Sequence, residues 1–454
     1  MEDLNQPQST LDPLLEELKW SKIDTRLRKP FHLSENVDDC LFSTFSSPLS
    51  TGRPRLFRHS KALRTVEYSP CLNNGLRNND MTFLEGGPRE TLFIDPEATR
   101  AAIVSCGGLC PGINNVIKGI TKTLIDCYSV PTVFGVKYGF SGFKQEKWIE
   151  LTIEGVSEID RQGGSYLGCS RGGFNLNDVV DGLKRHKVNL LFIIGGDGSL
   201  KGADILFNHF REHKEHISVI FIPKTIDNDL PIVDRSFGHL TAVEEAVKAI
   251  RSAETEARGA KLGIGLIKLM GRHSGHIALD AALVYRNVDY LLIPEIPFDL
   301  EGEEGVLLKL ESLLHERRHL VVVVAEGSGD KFADEMSQSS TDPSGNKKLF
   351  EIGLFLKKKI EDHFKNKQID LTLKYIDPSY MIRSIPANVF DAELCNELSA
   401  EAVNGAMAGY SGFCCGIVSR KTVYIPISVM RTDRYDVDTS GISYQSYLLS
   451  SRQP

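Results

Sequence analysis

The sequence predicts an α/β fold with two Rossmann-like domains, mainly parallel sheets and an active-site cleft between the domains. Three observations support this fold class. Short apolar runs alternate with longer segments of helical periodicity, most runs end at glycine, proline or an acidic residue, and a second series of runs begins near residue 262. Alternating strands and helices form βαβ units, and open parallel sheets bind ligands beyond the carboxyl ends of their strands.

Differences in composition and periodicity divide the chain into four segments. Residues 1–95 are rich in Ser, Pro, Asn and Arg and predict an irregular N-terminal extension that wraps the surface or a neighbouring subunit. Residues 96–258 and 259–400 form the two predicted α/β domains, and residues 401–454 are expected to return to the first domain.

The elements of the first domain follow from periodicity. Its predicted strands are 101–105, 132–136, 190–196 and 219–223, and its predicted helices are 114–128, 177–187, 200–213 and a helix after Gly238 in which Leu240, Val243, Val247 and Ile250 recur. The second domain has candidate strands at 262–270, 290–294 and 319–327.

Composition limits the function classes. The chain has 454 residues, enough for two or three domains, and 53 basic against 60 acidic residues give a net charge of −7, which argues against a nucleic-acid-binding protein. No apolar run approaches the ~20 residues of a membrane helix, and the N-terminus lacks signal-peptide features. The nine cysteines favour reduced thiols in a cytoplasmic protein over a disulfide framework or a metal site.

The stretch "VSCGGLCPGINNVI" places Gly107, Gly108 and Gly112 between a strand and a helix. Glycines let backbone amides approach an anion, and the helix N-terminus adds its positive dipole, so a phosphate site is one interpretation. A tight βα turn that needs glycine only for its backbone is the other. The chain has no G-x-x-x-x-G-K-[ST] motif, so a P-loop nucleotidase is not supported.

In "IIGGDGSLKGA", Asp197 stands among Gly195, Gly196 and Gly198. An aspartate at the end of a strand, beside flexible amides, can reach a hydrated Mg²⁺ held between phosphates. Helix capping by Asp197 or Ser199 is the alternative. The surrounding glycines favour the phosphate interpretation.

The stretch "PKTIDNDLP" presents Lys224, Asp227 and Asp229 within six residues, between two prolines. A carboxylate that accepts a hydroxyl proton needs such a fixed position near a phosphate-bearing electrophile. Turn chemistry alone explains Asp-Asn-Asp as well. The two preceding glycine turns favour catalysis.

Six motifs in this order resemble the phosphofructokinase family: "CGGLCPGINN", "IIGGDGS", "PKTIDNDLP", "LMGRHSG", "AEG" and "YIDPSYMIR", over about residues 100–430. The N-terminal extension and the "PKTIDND" spelling are most similar to the ATP-dependent enzymes of plants and kinetoplastids, which lie close to the pyrophosphate-dependent branch. The resemblance implies phosphoryl transfer from ATP to the 1-hydroxyl of fructose 6-phosphate, with Mg²⁺ as cofactor. It assigns the phosphoryl donor to segment 96–258 and the sugar phosphate to segment 259–400.

The resemblance also implies individual roles. Asp227 would be the catalytic base, with Arg171, Lys224 and Thr225 completing the catalytic set, and Asp197 would bind Mg²⁺. The donor would lie against Gly108, Arg171, Gly196, Gly198 and Ser199. The sugar phosphate would be bound by Thr225, Asp227, Asp229, Met270, Gly271, Arg272, Glu326, Lys374, Tyr380 and Arg383.

Two residues point to different donors. Members that use pyrophosphate resemble "GGDD", whereas this chain has Gly198, which leaves room for the α-phosphate of ATP. Lys224 replaces the glycine of bacterial ATP-dependent members and is a trait of the pyrophosphate branch. ATP is therefore the expected donor and pyrophosphate the alternative. The resemblance further suggests a homotetramer or homodimer, although Gly263 stands where many members supply an arginine to the adjacent subunit.

Two other functions compete with this hypothesis. "HERRH" at 315–319 satisfies the H-E-x-x-H pattern of zinc hydrolases, but it runs directly into an apolar strand and no third ligand is evident. An inactive regulatory subunit with the same fold is the second alternative. The retained Asp197, Asp227, Arg171 and Lys224 argue against it.

Overall fold

The computed structural model describes residues 27–28, 30–33, 45–50, 65–68, 81–330, 332, 350–430, 434–451 and 453. Most of the N-terminal extension lies outside the described residues. The strands are β1 (Leu27–Arg28), β2 (Phe31–His32), β3 (Phe45–Ser46), β4 (Thr65–Tyr68), β5 (Met81–Glu85), β6 (Thr91–Leu92), β7 (Arg100–Ser105), β8 (Thr132–Val136), β9 (Trp148–Glu150), β10 (Leu190–Gly195), β11 (Ser218–Pro223), β12 (Gly263–Leu269), β13 (Tyr290–Leu292), β14 (His319–Ala325), β15 (Thr372–Ile376), β16 (Tyr410–Ser411), β17 (Phe413–Val418) and β18 (Lys421–Pro426).

The helices of the described residues lie mainly between the long strands. They are α1 (Ile113–Lys122), α2 (Ser141–Lys144), α3 (Leu176–Arg185), α4 (Asp197–Glu212), α5 (His239–Arg258), α6 (His276–Tyr285), α7 (Val306–Arg317), α8 (Ile352–Asn366), α9 (Ser379–Arg383), α10 (Val389–Met407) and α11 (Ile442–Ser450). A π-helical turn, Thr123–Cys127, continues α1.

Two sheets organise the fold. The larger has the order β1-β5-β18-β17-β11-β10-β7-β8-β9, with β4 paired to β5, and the smaller has the order β13-β14-β12-β15. The pairs β11–β10–β7–β8 and every pair of the smaller sheet are parallel, whereas β17–β18, β18–β5 and β8–β9 are antiparallel. The predicted α/β class with two mainly parallel sheets is confirmed.

Both faces of the large sheet are buried, which explains why its strands are continuous apolar runs. In β10, Phe192 and Ile194 face the core shared with α1, α5, α6 and α10, while Leu191 and Ile193 face the core formed with α3 and α4. The shared core also takes in one face of the small sheet, whose other face packs on α7 and α8.

Two helices follow a strand of one sheet but pack against the unit built on the other sheet. Helix α5 contacts β12, β14 and β15 of the small sheet, and α10 contacts α1 and β11 of the large-sheet unit. Strands β17 and β18 join the large sheet, after which α11 contacts α6. The four segment boundaries given above remain predictions.

Element bounds from periodicity differ from the structure by a few residues. The helix expected at 200–213 begins at Asp197, because the glycine turn before it already has helical backbone hydrogen bonds. Sequence reasoning missed β5 within the extension, since its partner β18 lies more than three hundred residues later in the chain. No helix among the described residues is both long and apolar enough to span a membrane.

Candidate active site

The motifs "CGGLCPGINN", "IIGGDGS" and "PKTIDNDLP" lie at the ends of the neighbouring strands β7, β10 and β11, at one edge of the large sheet. In the register of these parallel strands, Ile194 lies opposite Ser105, and Gly195 lies opposite Pro223. The backbone N–H of Lys224 donates to the carbonyl of Gly195 at 2.9 Å. The three turns therefore converge on a common surface, which we call the donor edge.

The first glycine turn is surrounded by cations. Gly107 has φ 84°, a left-handed conformation that glycine adopts without strain. A Cβ atom on Gly108 would lie 3.7 Å from Nη1 of Arg383 and 3.8 Å from Nη2 of Arg171. A Cβ atom on Gly107 would lie 3.7 Å from Nζ of Lys224. Two guanidinium groups and one ammonium group thus face the turn.

Lys224 is 7% exposed, and its Nζ forms no hydrogen bond or ion pair with any residue that the structure describes. The nearby thiols of Cys106 and Cys110 do not neutralise it, because burial raises the pKa of Cys106 to about 12 and that of Cys110 further. Burying an unpaired charge is costly. This ammonium group is therefore placed for an anion that comes from outside the chain.

The second glycine turn is crowded at Gly195 and open at Gly198. A Cβ atom on Gly195 would lie 2.5 Å from the side chain of Ser199, which is buried, so the position requires glycine. Gly196 accepts a hydrogen bond from the backbone N–H of Ser199 at 2.9 Å and starts α4. A Cβ atom on Gly198 would meet nothing within 4 Å. The first turn of α4 therefore presents free space and its positive dipole to a ligand.

The aspartate turn is held by its own side chains. The backbone N–H of Asp227 donates to Oγ1 of Thr225 at 3.1 Å, and this hydroxyl lies 3.4 Å from Oδ1 of Asp229. Asn228 has φ 55°, a conformation that asparagine tolerates better than most residues, and it accepts a hydrogen bond from the backbone of Ser236. The two carboxylates are thereby fixed on one rigid turn.

Asp227 has the electrostatic character of a general base. Its Oδ1 is fully buried and has no hydrogen-bond partner among the described residues. Burial, with further contributions from Asp229 and Glu326, raises the pKa of Asp227 to about 7, while the charges of His239 and Arg434 act in the opposite direction. A general base is most effective when its pKa lies near the working pH.

Arg434 joins the site from the C-terminal segment, and sequence reasoning missed it. Its Nη2 lies 2.7 Å from Oδ2 of Asp197, and its Nε lies 3.9 Å from Oδ2 of Asp229. The next residue, Tyr435, donates its backbone N–H to the carbonyl of Asp229 at 3.0 Å and stacks on His276. Arg434 is 237 residues from Asp197, and no local pattern distinguishes it from other charged residues.

The exposed carboxylate of Asp197 suits a magnesium ion. Mg²⁺ in phosphoryl-transfer sites usually takes one or two carboxylates and otherwise water and phosphate oxygens. Asp197 is 62% exposed at the donor edge, and the guanidinium group of Arg434 already lies beside its carboxylate. Within the described ranges no three or more His, Cys, Asp or Glu side chains form a metal-ligand cluster.

The second set of predicted residues lies where β12 and β14 end side by side. Gly271 has φ 131° and accepts a hydrogen bond from the backbone N–H of Gly327 at 3.0 Å. This bond joins the Met270–Arg272 loop to the turn that carries Glu326. Burial raises the pKa of Glu326, although the charges of Lys268 and Arg272 oppose the shift.

The small-sheet loop also touches the aspartate turn. Oγ of Ser274 lies 3.5 Å from the carbonyl of Asp227, and Glu326 is close enough to raise the pKa of Asp227. The structure therefore brings Met270, Gly271, Arg272 and Glu326 to the same cleft as the donor edge.

The three residues from "KYIDPSYMIR" lie in two different surroundings. Arg383 stacks on Tyr380, which is 75% exposed, with the guanidinium carbon 5.0 Å from the ring centre, and reaches the first glycine turn as described above. Nζ of Lys374 lies 3.2 Å from a carboxylate oxygen of Glu256 near the far end of α5. Lys374 therefore already has a partner away from the cleft. Gly263, at the amino end of β12, is enclosed, because a Cβ atom there would lie 2.0 Å from the carbonyl oxygen of Ala257.

The "HERRH" segment does not form a zinc site. Helix α7 ends at Arg317, Arg318 has a left-handed conformation, and His319 starts β14, so His315 and His319 do not share a helix face. Nε2 of His319 instead lies 3.2 Å from Nε of Arg258.

Known proteins resemble this chain over most of its length. The model of the phosphofructokinase family matches residues 100–406. The chain is 46% identical to ATP-dependent 6-phosphofructokinase 1 of Arabidopsis thaliana over 82% of this chain and 79% of that protein. It is 44% identical to the ATP-dependent 6-phosphofructokinase of Borreliella burgdorferi over 84% of this chain and 87% of that protein.

Among solved structures, the T-state phosphofructokinase of Pichia pastoris matches with a TM-score of 0.59 at 20% identity, over 80% of this chain. This chain spans only 37% of that longer protein, and at this identity the likeness concerns the fold. The family match covers β7 to β11 of the large sheet, the whole small sheet and all three turns of the donor edge. This chain belongs to the phosphofructokinase family.

Proposed function

We propose that the protein transfers the γ-phosphoryl group of ATP to the 1-hydroxyl group of fructose 6-phosphate, a glycolytic reaction that gives fructose 1,6-bisphosphate and ADP. The observation that carries the proposal is Asp227, a rigidly held carboxylate with a pKa of about 7 and an unpartnered buried oxygen at the donor edge. The similar proteins named above are ATP-dependent 6-phosphofructokinases, which supports the donor and the acceptor.

Asp227 accepts the proton of the 1-hydroxyl group while the oxygen of that hydroxyl group forms a bond to the γ-phosphorus. The bond from that phosphorus to the bridging oxygen of ADP breaks in the same displacement. Thr225 and Asp229 keep the base in place through the hydrogen bonds of their turn. A fixed base contributes about 10²–10⁴-fold to such a reaction.

The donor phosphates lie over Gly108 and the start of α4, where Gly196, Gly198 and Ser199 supply backbone groups and space. Arg171 and Lys224 neutralise the charge that spreads over the transferring group, which is the main requirement of phosphoryl transfer. Mg²⁺, held by Asp197 and the donor phosphates, would add further neutralising charge. The proximity of Arg383 to Gly108 suggests that it also contacts phosphate at this end of the cleft.

The sugar phosphate occupies the small-sheet side of the cleft. Glu326 accepts hydrogen bonds from sugar hydroxyls, and Met270, Gly271 and Arg272 line the loop beside it. The resemblance assigns Lys374, Tyr380 and Arg383 to the sugar phosphate, and Lys374 must leave Glu256 to take that role.

ATP is the proposed donor because Gly198 leaves its surroundings open, so no carboxylate at position 198 repels the α-phosphate. Lys224 can hold either the terminal phosphates of ATP or a pyrophosphate, so it does not discriminate between them. Pyrophosphate remains the alternative donor.

The assembly and location are part of the proposal. Tyr380, Met381, Val389 and Phe390 are exposed on the described surface, which supports a homodimer or homotetramer. A cytoplasmic location is supported by the free thiols of the described cysteines. No nucleic-acid or membrane partner is proposed.

A donor comparison tests the function. The purified protein is supplied with fructose 6-phosphate, Mg²⁺ and either ATP or pyrophosphate, and the product is identified by ³¹P NMR. We expect fructose 1,6-bisphosphate with ATP at a kcat/KM far above that with pyrophosphate. No bisphosphate with either donor would favour the inactive regulatory subunit, and a preference for pyrophosphate would overturn the donor assignment alone.

A further inference from the structure

Helix α5 starts with a buried histidine, His239, which lies directly behind the base turn. The residue is 2% exposed. Its Nδ1 lies 2.8 Å from the carbonyl oxygen of Ile226, the residue before Asp227, and its Nε2 lies 2.8 Å from Oδ2 of Asp280 on α6. Both ring nitrogens are therefore engaged, and neither bond involves the groups assigned to substrates above.

The chemistry of the two partners fixes the state of the ring. A carbonyl oxygen only accepts, so Nδ1 must carry a proton. An ionised carboxylate also only accepts, and Asp280 is 39% exposed to water, so Nε2 must carry one as well. A ring that donates from both nitrogens is an imidazolium cation.

The position of this cation is otherwise unfavourable. It lies in the first turn of α5, where the helix dipole is positive, and it is buried. The junction is also tight: a Cβ atom on Gly238, which has φ 87°, would lie 2.3 Å from Sγ of Cys110 and 3.2 Å from the side chain of Ile226. Asp280 is the ion-pair partner that offsets these costs.

Few other ionisable groups face the ring. Asp391 on α10 is fully buried, accepts hydrogen bonds from the backbone and hydroxyl of Thr241, and its charge also helps to raise the pKa of His239. Cys110 is neutral because burial raises its pKa. The charged pair at the other end of α5, Lys374 with Glu256, lies almost the whole helix away. Asp227 is close enough for the charge of His239 to favour its ionised form.

We infer that His239, protonated by its pairing with Asp280, is a positioning residue for the base: it holds the backbone of Ile226 and keeps a positive charge behind Asp227. Its effect on catalysis rests on the proposed role of Asp227. The bond to Asp280 also ties the base turn to α6, the helix that follows the Met270–Arg272 loop. Burial alone would lower the pKa of His239, but the hydrogen bond to Asp280 raises it overall.

The variant Asp280→Asn separates charge from position. With an amide at this site, Nδ1 still donates to Ile226, while Nε2 can accept from the amide and the ring becomes neutral. We expect the acidic limb of the kcat profile to move up by at least about 0.5 pH unit, with KM values and kcat at pH 8.5 close to the wild type. Glu244→Gln removes a carboxylate from α5 that instead contacts Asn388 and Lys248, and should leave the limb unchanged.

A spectroscopic readout tests the pair without any assay. In protein with ¹⁵N-labelled histidine, the signals lost in His239→Phe identify the ring, and at pH 7 both nitrogens should have shifts of protonated imidazolium. Asp280→Asn should convert one of them to the shift of an unprotonated nitrogen. A neutral ring in the wild type would overturn the inference, as would identical acidic limbs in Asp280→Asn and Glu244→Gln. The nitrogen shifts report on the His239–Asp280 pair whether or not Asp227 is the base. If Asp227→Asn retains turnover, the proposed role of Asp227 is wrong, but the test of the pair still holds.

Discussion

Lys224 at the donor edge and Lys268 in the small sheet are equally buried, each 7% exposed, but their surroundings differ. Lys268 lies 2.7 Å from Oδ2 of Asp377 and 2.8 Å from Oε1 of Glu351, whereas Lys224 has no such partner among the described residues. The small sheet therefore neutralises its lysine within the chain. The donor edge leaves its lysine without a partner among the described residues, and we propose that a bound phosphate neutralises it.

The largest expected effect comes from Asp227, the proposed base. Asp227→Asn should lower kcat by about 10²–10⁴-fold and leave KM values much less affected, because the amide keeps the shape but accepts no proton. Steady-state kinetics with ATP and fructose 6-phosphate measure it. A variant with near-normal turnover would remove Asp227 from the mechanism.

The two lysines test the comparison directly. Lys224→Met should lower kcat/KM by about 10²-fold but leave the free energy of unfolding equal or higher, since an unpaired buried charge is removed. Lys268→Met should lower the free energy of unfolding by about 1–3 kcal/mol, because Asp377 and Glu351 lose their shared partner. Urea unfolding and kinetics of both variants provide matched controls. Loss of stability in both would mean that Lys224 is structural.

The open space at Gly198 predicts a change of donor. Gly198→Asp should lower kcat/KM for ATP by about 10–100-fold and lower the value for pyrophosphate less, because the carboxylate repels the α-phosphate. Gly198→Asn adds similar bulk without charge and separates repulsion from steric hindrance. An equal loss with both donors would contradict the selective role.

The burial of Asp227 predicts an acidic limb in the pH profile. Its pKa of about 7 means that kcat should fall about tenfold at pH 6, because a protonated carboxyl group cannot accept the hydroxyl proton. The folded protein binds this proton more tightly than the unfolded chain, so the stabilisation is present at low pH and is lost as the pH rises towards 7. Asp227→Asn should therefore be more stable than the wild type at pH 8 but not at pH 4, as urea unfolding would show.

The parts of the site that were predictable are those that lie within one turn. Gly108, Asp197 and Asp227 each stand in a short motif at the end of an apolar strand, and the parallel register that aligns those ends is a general property of the fold. The fold class followed from the same alternation of strands and helices.

The contacts that could not be predicted depend on chain-distant packing. Arg434 reaches Asp197 across 237 residues, and Arg383 reaches Gly108 because α9 packs on α5 beside the cleft. His239 is one polar residue at the start of an amphipathic helix, and only the position of Asp280 reveals its charge state. Such pairings leave no periodic signal in the sequence.

Arg434 places its guanidinium group against the carboxylate of Asp197, which is proposed to hold Mg²⁺, and its substitution gives the smallest expected effect. At the donor edge it acts as Asp377 and Glu351 act in the small sheet, by supplying the opposite charge, but the resulting pair must open when a metal ion takes Asp197. Two cations cannot share that carboxylate without repulsion, so Arg434→Gln should raise the affinity for Mn²⁺, used as a probe for Mg²⁺, by about 3–10-fold. It should also lower thermal stability slightly without a divalent ion, because the charges of Asp197 and Asp229 are then unopposed. Electron paramagnetic resonance of Mn²⁺ binding, with Arg434→Lys as the charge-retaining control, measures the change. Unchanged or weaker Mn²⁺ binding in Arg434→Gln would mean that Arg434 does not compete with the metal ion for Asp197. Its role would then be to bind the donor phosphates.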